Sequence, residues 1–371
     1  MKRPLEGVKV LDFSTLLPGP VCTLVLAEAG AEVLKVERPG SGDEMRTYSP
    51  KSGADSANFA LLNRGKRSLA IDLKAPGAVD RILGLVREAD VVVEQFRPGV
   101  MDRLGLGYEA MKAVNPRIVY CAITGYGQDG PRADEAAHDL NYQAQSGMLS
   151  LSAGADGSPV VPPALVADIA GGAYPAVINI LLALRSRDIN GTGCKLDVSM
   201  SDNLFTFLYW ALSEGETTGR FPGPATGLVA GASARYQIYR TQDGRFLAAA
   251  PLEQRFWLNF CRVIGLPEAL VDDARDSAAT KAAVAERIAS RSAEDWRKAF
   301  EGVDACCCLV NSMEEAVNDP HFRARGLFDR RVTTDAGTLT AMPVPVAEAF
   351  RDAASAAGYP RLGQDDDTPG P

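Results

Sequence analysis

The residue types able to move protons are few and well separated. Among 371 residues there are only two histidines, His138 and His321. Chemistry built on two or three imidazoles is therefore hard to assemble. His138 precedes Asp139 in AAHDLNYQAQSG; by spacing alone a lone histidine of this kind reads first as structural. Asp168 is more telling, because it interrupts the apolar, small-residue run ALVADIAGGA. A carboxylate there is costly to bury unless it is paired or functional. Glu253, in AAAPLEQRFW, follows an apolar strand at a turn and alone reads as a helix-start acid. One imidazole and one buried carboxylate are enough for general acid–base chemistry.

A second group of residues is basic. Arg64, Lys66 and Arg67 fall within NRGKRS, three cations in four residues. Such a cluster suits phosphate contacts, and equally a solvated loop. Arg38 ends the second strand at VERPG, and Arg97 ends another at EQFRPG. Carboxyl ends of parallel strands are where ligands sit in α/β sheets, which points to an anionic, phosphorylated ligand. The chain as a whole is acidic, 47 Asp and Glu against 39 Lys and Arg, for a net charge of −8. That argues against a nucleic-acid partner, which needs a basic face. A literal G-x-G-x-x-G stands at Gly125, Gly127 and Gly130, but Pro131 follows and no apolar helix opens there. It reads as a glycine-rich loop near a ligand, not as a dinucleotide fingerprint.

These residues need a frame. Val8–Phe13, Glu32–Val36, Val91–Phe96 and Arg117–Thr124 read as strands, with helical patterns at about 20–29, Gly77–Ala89, 140–150 and 165–186. Strands alternating with helices predict a parallel sheet covered on both faces. Residues 214–233 are dense in Gly, Pro and Thr and read as a linker or mobile loop. Beyond it, Gln242-Asp243-Gly244 between two short strands predicts a hairpin. The tail after about 364 is acidic and reads as loose. Seven cysteines without a C-x-x-C pair make a poor disulfide framework. Reduced thiols in a cytoplasmic protein are the expectation. The apolar run Ile169–Leu184 is too short for a membrane span of about 20 residues, so no membrane partner is expected. No spaced set of metal ligands is seen.

Several longer motifs carry a resemblance. The opening GVKVLDFSTLLPGPVCTLVLAEAGAEVLKVERPGSGD, with NRGKRSLAIDLK, EQFRPGVMDRLGLGYE, ITGYGQDGP and DPHFRARG, resembles the family III CoA transferase superfamily of CaiB/BaiF type. That superfamily includes the α-methylacyl-CoA racemases. The resemblance implies an α/β fold with a large Rossmann-like parallel-sheet domain, from residues 1–200 and 325–371. A 201–233 linker and a smaller α+β domain at 234–324 complete it. It also implies an interlocked homodimer with its active site between subunits. The ligand would be an acyl-CoA, with Arg38, Arg64, Lys66, Arg97 and Arg103 meeting its nucleotide and phosphates. His138, Asp168 and Glu253 match the racemase proton-transfer set, in which the glutamate pairs with the histidine. Asp139 and Tyr142 match neighbours of the thioester and CoA. Transferases of the family use the aspartate instead as a nucleophile. Ala164 stands where the racemases often carry an asparagine that orders the thioester region. The racemase reading, inversion at the α-carbon of 2-methylacyl-CoA thioesters through an enolate, needs no metal or redox cofactor. CoA transfer between carboxylic acids through covalent Asp168 intermediates is the alternative.

Overall fold

The structure is a computed structural model that describes residues 2–366, apart from residues 155, 353 and 355. The chain divides into two units. The first comprises Met1–Ser146, Pro163–Phe205 and Pro320–Pro371, the second Gly147–Pro162 and Thr206–Asp319.

The first unit is organised by six parallel strands: β1 (Lys9–Asp12), β2 (Glu32–Glu37), β3 (Arg67–Ala70), β4 (Val91–Glu94), β5 (Val119–Thr124) and β6 (Lys195–Ser199). Their order is β3-β2-β1-β4-β5-β6. β4 and β5 are buried along their whole length, as the near-continuous apolar runs require of strands covered on both faces. Helices α1 (Pro18–Glu28) and α2 (Ala57–Asn63) precede α3 (Ala78–Val86), α4 (Val100–Arg103) and α5 (Tyr108–Val114). On one face Ile82, Val86, Met101, Leu106 and Met111 pack against Leu11, Val92 and Tyr120. Every residue of α1 is buried, and Pro18 opens it where a missing N–H costs nothing. The chain leaves β1 toward one edge of the sheet and enters β4 toward the other. The crevice outside the carboxyl ends of β1 and β4 is therefore the topological switch point, where ligands bind in such sheets.

Helix α6 (Asp139–Gln145) follows the loop after β5. A single π-helical stretch, Ala167–Ala173, then runs directly into α7 (Tyr174–Asn190). The combined run of 24 residues is longer than the apolar spacing predicts, long and apolar enough to cross a membrane by length and composition alone. One face of α7, with Ala176, Ile180, Ala183 and Leu184, is nevertheless buried. Helix α8 (Met200–Asn203) packs on the π-helical stretch. Gly171 permits that approach, since a methyl there would run into the Met200 carbonyl.

In the second unit, α9 (Tyr209–Thr218) takes up the start of the segment read as a loop. Strands β7 (Gln237–Arg240), β8 (Phe246–Ala249) and β9 (Cys307–Leu309) form an antiparallel sheet. The turn joining β7 and β8 holds Gly244 at a φ of 80°, as the Asp-Gly spacing predicts. Helices α10 (Gln254–Ile264), α11 (Ser277–Ala289) and α12 (Ala293–Phe300) close a core centred on Trp257, Phe260 and Trp296.

The carboxyl-terminal segment returns to the first unit. Strands β10 (Arg331–Thr334), β11 (Gly337–Thr340) and β12 (Ala356–Gly358) make a third sheet, with Val332 packed on Ala60 of α2. The segment just beyond residue 364 is tied down where a loose tail was expected. The Asp365 N–H donates to Ser68 O at 2.8 Å, and the Ala70 N–H donates to an Asp366 carboxylate oxygen at 2.7 Å. The rest of that tail, past residue 366, lies outside the described residues.

Candidate active site

Two clefts open at the carboxyl ends of the parallel strands, both within the first unit. The larger, about 630 Å³, is lined by Phe13 and Thr15 after β1, Arg38 after β2, Ile71–Lys74 after β3 and Phe96 after β4. The second, about 380 Å³, takes Leu16 and Pro18 from the start of α1, Gln95–Pro98 after β4 and Thr124-Gly125 after β5. His138, Tyr142 and Asp168 complete it. Phe96 lines both. The second cleft therefore straddles the switch point and brings His138 and Asp168, thirty positions apart in the chain, onto one lining.

His138 is the N-cap residue of α6, in extended backbone, and is exposed. Its backbone N–H donates to Asn141 Oδ1 at 3.0 Å, which fixes the entry to the helix. Asp139 behind it is buried at the first helical position, where a negative charge is favoured. One Asp139 oxygen accepts the Asp168 backbone N–H at 2.9 Å. The other accepts from Gln143 Nε2 at 2.5 Å. Tyr142 is buried one turn along, and its hydroxyl donates to Ala137 O at 2.9 Å. Gly125 makes room for that ring, since a methyl there would strike it. Tyr126 meets Tyr142 edge-on at 5.2 Å. The glycine-rich loop thus opens no helix and serves as one wall of the cleft.

Asp168 sits at the second position of the π-helical stretch. Such stretches are rare and frequent at functional sites. Burial, helped by the charge of Asp139, pushes its carboxyl up to about 7. The group is therefore poised between acid and base near neutral pH. Burial and the Asp168 charge together push the Tyr142 phenol up to about 12, so it stays a donor.

The expected phosphate ligands divide into two sets. Arg38, Arg97 and Arg103 are exposed, Arg38 on the larger cleft and Arg97 on the smaller. Arg103 ends α4, whose Val100 lines the larger cleft. Arg64 and Lys66 depart from the expectation, because both are turned inward. Arg64 Nε pairs with Glu28 at 2.7 Å, and its other nitrogens donate to the Leu61 and Met342 carbonyls. Lys66 Nζ, fully buried, meets Asp12 at 3.2 Å, Thr23 Oγ1 at 2.7 Å and Asn63 Oδ1 at 2.8 Å. The same network holds Lys35 against Asp43 at 2.9 Å. These cations neutralise the buried carboxylates of Asp12, Glu28 and Asp43 and present no charge to solvent.

Glu253 stands in the second unit, exposed, as the N-cap residue of α10. Its carbonyl accepts the Trp257 N–H at 3.0 Å.

The residue reading missed Lys74, Gln95 and Gln143. Lys74 lines the larger cleft just beyond β3, and locating that strand would have found it. Gln95, whose Oε1 accepts the Gly19 N–H at 3.0 Å, sits one residue before the noticed Phe-Arg-Pro. Gln143 carried no local signal other than its i,i+4 spacing from Asp139.

The fold and these two clefts define an α/β protein with ligand-sized clefts at the carboxyl ends of its parallel strands, and comparison with known proteins gives the class. CoA-transferase family III matches residues 5–366, and the chain belongs to that family. It is 36% identical over 337 residues to the acetyl-CoA:oxalate CoA-transferase of Acetobacter aceti, covering 88% of this chain and 86% of that one. It is 34% identical over 348 residues to the alpha-methylacyl-CoA racemase of Homo sapiens, covering 92% and 86%. A crystal structure of a CaiB/BaiF family protein from Brucella suis superposes with a TM-score of 0.83 at 28% identity, covering 99% of this chain and 98% of that one.

Proposed function

We propose that this protein is a racemase or epimerase of 2-methylacyl-CoA thioesters that moves a proton between the two faces of the α-carbon. The observation that carries the reading is the shared cleft, with His138 and a carboxyl at Asp168 raised to about 7 on its lining. Inversion needs one group to remove the α-proton and another to return one on the opposite face. Neutral His138 removes the proton while protonated Asp168 delivers one; for the other enantiomer the roles exchange. The intermediate is the thioester enolate. The racemase resemblance gives Glu253 as the carboxylate that would orient the imidazole and stabilise its cation, as carboxylates do in hydrolase triads. Only a proton moves, so the reaction calls for no metal or redox cofactor, and CoA enters as part of the substrate.

The larger cleft suits the nucleotide end of CoA. Arg38 and Lys74 line it and Arg103 belongs to the helix whose Val100 lines it, while Phe96 and Arg97 lead toward the acyl end. A homodimer is part of the proposal. Ile178, Leu181, Leu182 and Ile189 leave the outer face of α7 exposed and apolar, which fits a surface covered by a second copy.

The match to the oxalate CoA-transferase supports a second reading. There the Asp168 carboxylate attacks the thioester carbonyl, expelling CoA thiolate and forming a mixed anhydride. Asp168 at about 7 is ionised in part near neutral pH, which serves either reading; His138 on the same lining favours the first. Incubating the protein with one enantiomer of a 2-methylacyl-CoA and then adding a free carboxylic acid separates the two. Loss of optical purity before the addition supports racemisation. Thioester exchange only after it supports transfer.

A further inference from the structure

We propose that Gln143 is a positioning residue that holds the Asp139 carboxylate against the turn carrying Asp168. The inference rests on Asp168 acting as the acid–base group above. Gln143 and Asp139 lie one turn apart on α6 and are both buried. The Gln143 amide donates to one Asp139 oxygen at 2.5 Å. The other oxygen accepts the Asp168 N–H at 2.9 Å. Asp139 therefore does two things. It anchors the π-helical stretch at the backbone of Asp168, and it places a negative charge beside that carboxyl. No lysine or arginine is within hydrogen-bonding reach of Asp139 among the described residues. The carboxylate is instead held by two neutral N–H donors, and Gln143 supplies the only one from a side chain.

The groups facing Asp168 are Asp139 and Tyr142 from α6 and His138 at its cap, with Glu135 and Arg97 on the same cleft. Of these Asp139 is the charge that raises Asp168. Without the amide, the Asp139 carboxylate loses one of the two donors that hold it in place and is free to turn away from Asp168. Its charge then acts from farther off, and Asp168 titrates lower.

The test is the pH profile of α-proton exchange into deuterated water, with each enantiomer of a 2-methylacyl-CoA. For the enantiomer whose proton Asp168 removes, wild-type exchange falls as pH drops through about 7. In Gln143→Met that limb moves down by roughly one unit, with KM little changed. Asp139→Asn keeps an acceptor for the Asp168 N–H and removes the charge, so it moves the limb the same way. Gln143→Leu, of similar volume and likewise without a donor, covers the case in which Gln143→Met fails to fold. A limb unmoved in the folded Gln143 variant would overturn the proposal, whether or not Asp139→Asn moves it. Asp168→Asn is the control: if it exchanges normally, the acid–base reading has failed, and not the role of Gln143 alone.

Discussion

Lys66→Met tests whether the basic cluster of NRGKRS is structural or binds phosphate. The substitution keeps most of the side-chain volume and removes the ammonium. In the wild type Lys66 Nζ is bound by Asp12, Thr23, Asn63 and the Pro20 carbonyl, all at 3.2 Å or less. Burial raises the Asp12 carboxyl, but Lys35 and Lys66, with Ser14 and Thr23 donating, more than offset it and hold it at about 2. Lys66 is lowered as well, by burial to about 8, which disfavours its charge where the lowering of Asp12 favours the carboxylate. The pair is ionised at neutral pH, because Asp12 lies between two lysines and accepts two hydroxyl bonds. Lowering Asp12 from 3.8 to about 2 is worth about 2.5 kcal/mol. Removing one partner of a buried pair costs about 3–5 kcal/mol, and Lys35 remains, so about 3 kcal/mol is expected. The folded acid is the more acidic one, so its contribution is present above 3.8 and disappears as pH falls toward 2. In the variant Asp12 lies closer to its unfolded value, so that acid-side loss is smaller and ends at a higher pH. Urea unfolding at several pH values measures both effects, and calorimetry with CoA measures affinity, expected to stay within about twofold per folded molecule. Unchanged stability together with a tenfold or greater loss of CoA affinity would refute the structural assignment.

Other perturbations probe the frame around the clefts. Glu94 ends β4 buried, and its carboxylate accepts the Phe96 N–H at 2.7 Å; burial raises its carboxyl to about 7. Its folded form holds the proton more tightly than the unfolded one, so stability falls as pH rises from 4.5 through about 7, by on the order of 3 kcal/mol. Glu94→Gln should therefore gain on the wild type at pH 8 and lose that advantage near pH 4.5; a difference flat with pH contradicts this. Gly171→Ala drives a methyl against the Met200 carbonyl and should cost about 2 kcal/mol. Because that turn carries Asp168, exchange activity should drop as well; thermal unfolding alongside a turnover assay checks both.

The parallel sheet was legible because its central strands are continuous apolar runs. Val91–Glu94 and Val119–Thr124 need no distant information to be read as buried strands. β3 was not legible, because its approach is basic and resembles a loop. What buries Lys66 and Arg64 are Asp12 and Glu28, 54 and 36 residues earlier. No local spacing reports such a pairing. The docking of Asp365 on β3 was hidden in the same way, since its partners Arg67 and Ser68 lie nearly 300 residues before it. Asp168 stood out by its apolar setting. His138 did not, and only the packing of α6 on the π-helical stretch brings the two to one cleft. The roles given to them, and to Glu253, came from family resemblance and not from spacing.

The most direct test of the central claim is α-proton exchange by His138→Ala. Wild-type protein and the variant are incubated with each enantiomer of a 2-methylacyl-CoA in deuterated water, without free acid, and the α-proton is followed by NMR. The two-base account predicts exchange with loss of optical purity in the wild type, and in the variant racemisation reduced about 100-fold or more with CoA affinity nearly intact. Wild-type turnover by the variant, or no exchange by the wild type until a carboxylic acid is added, would contradict it.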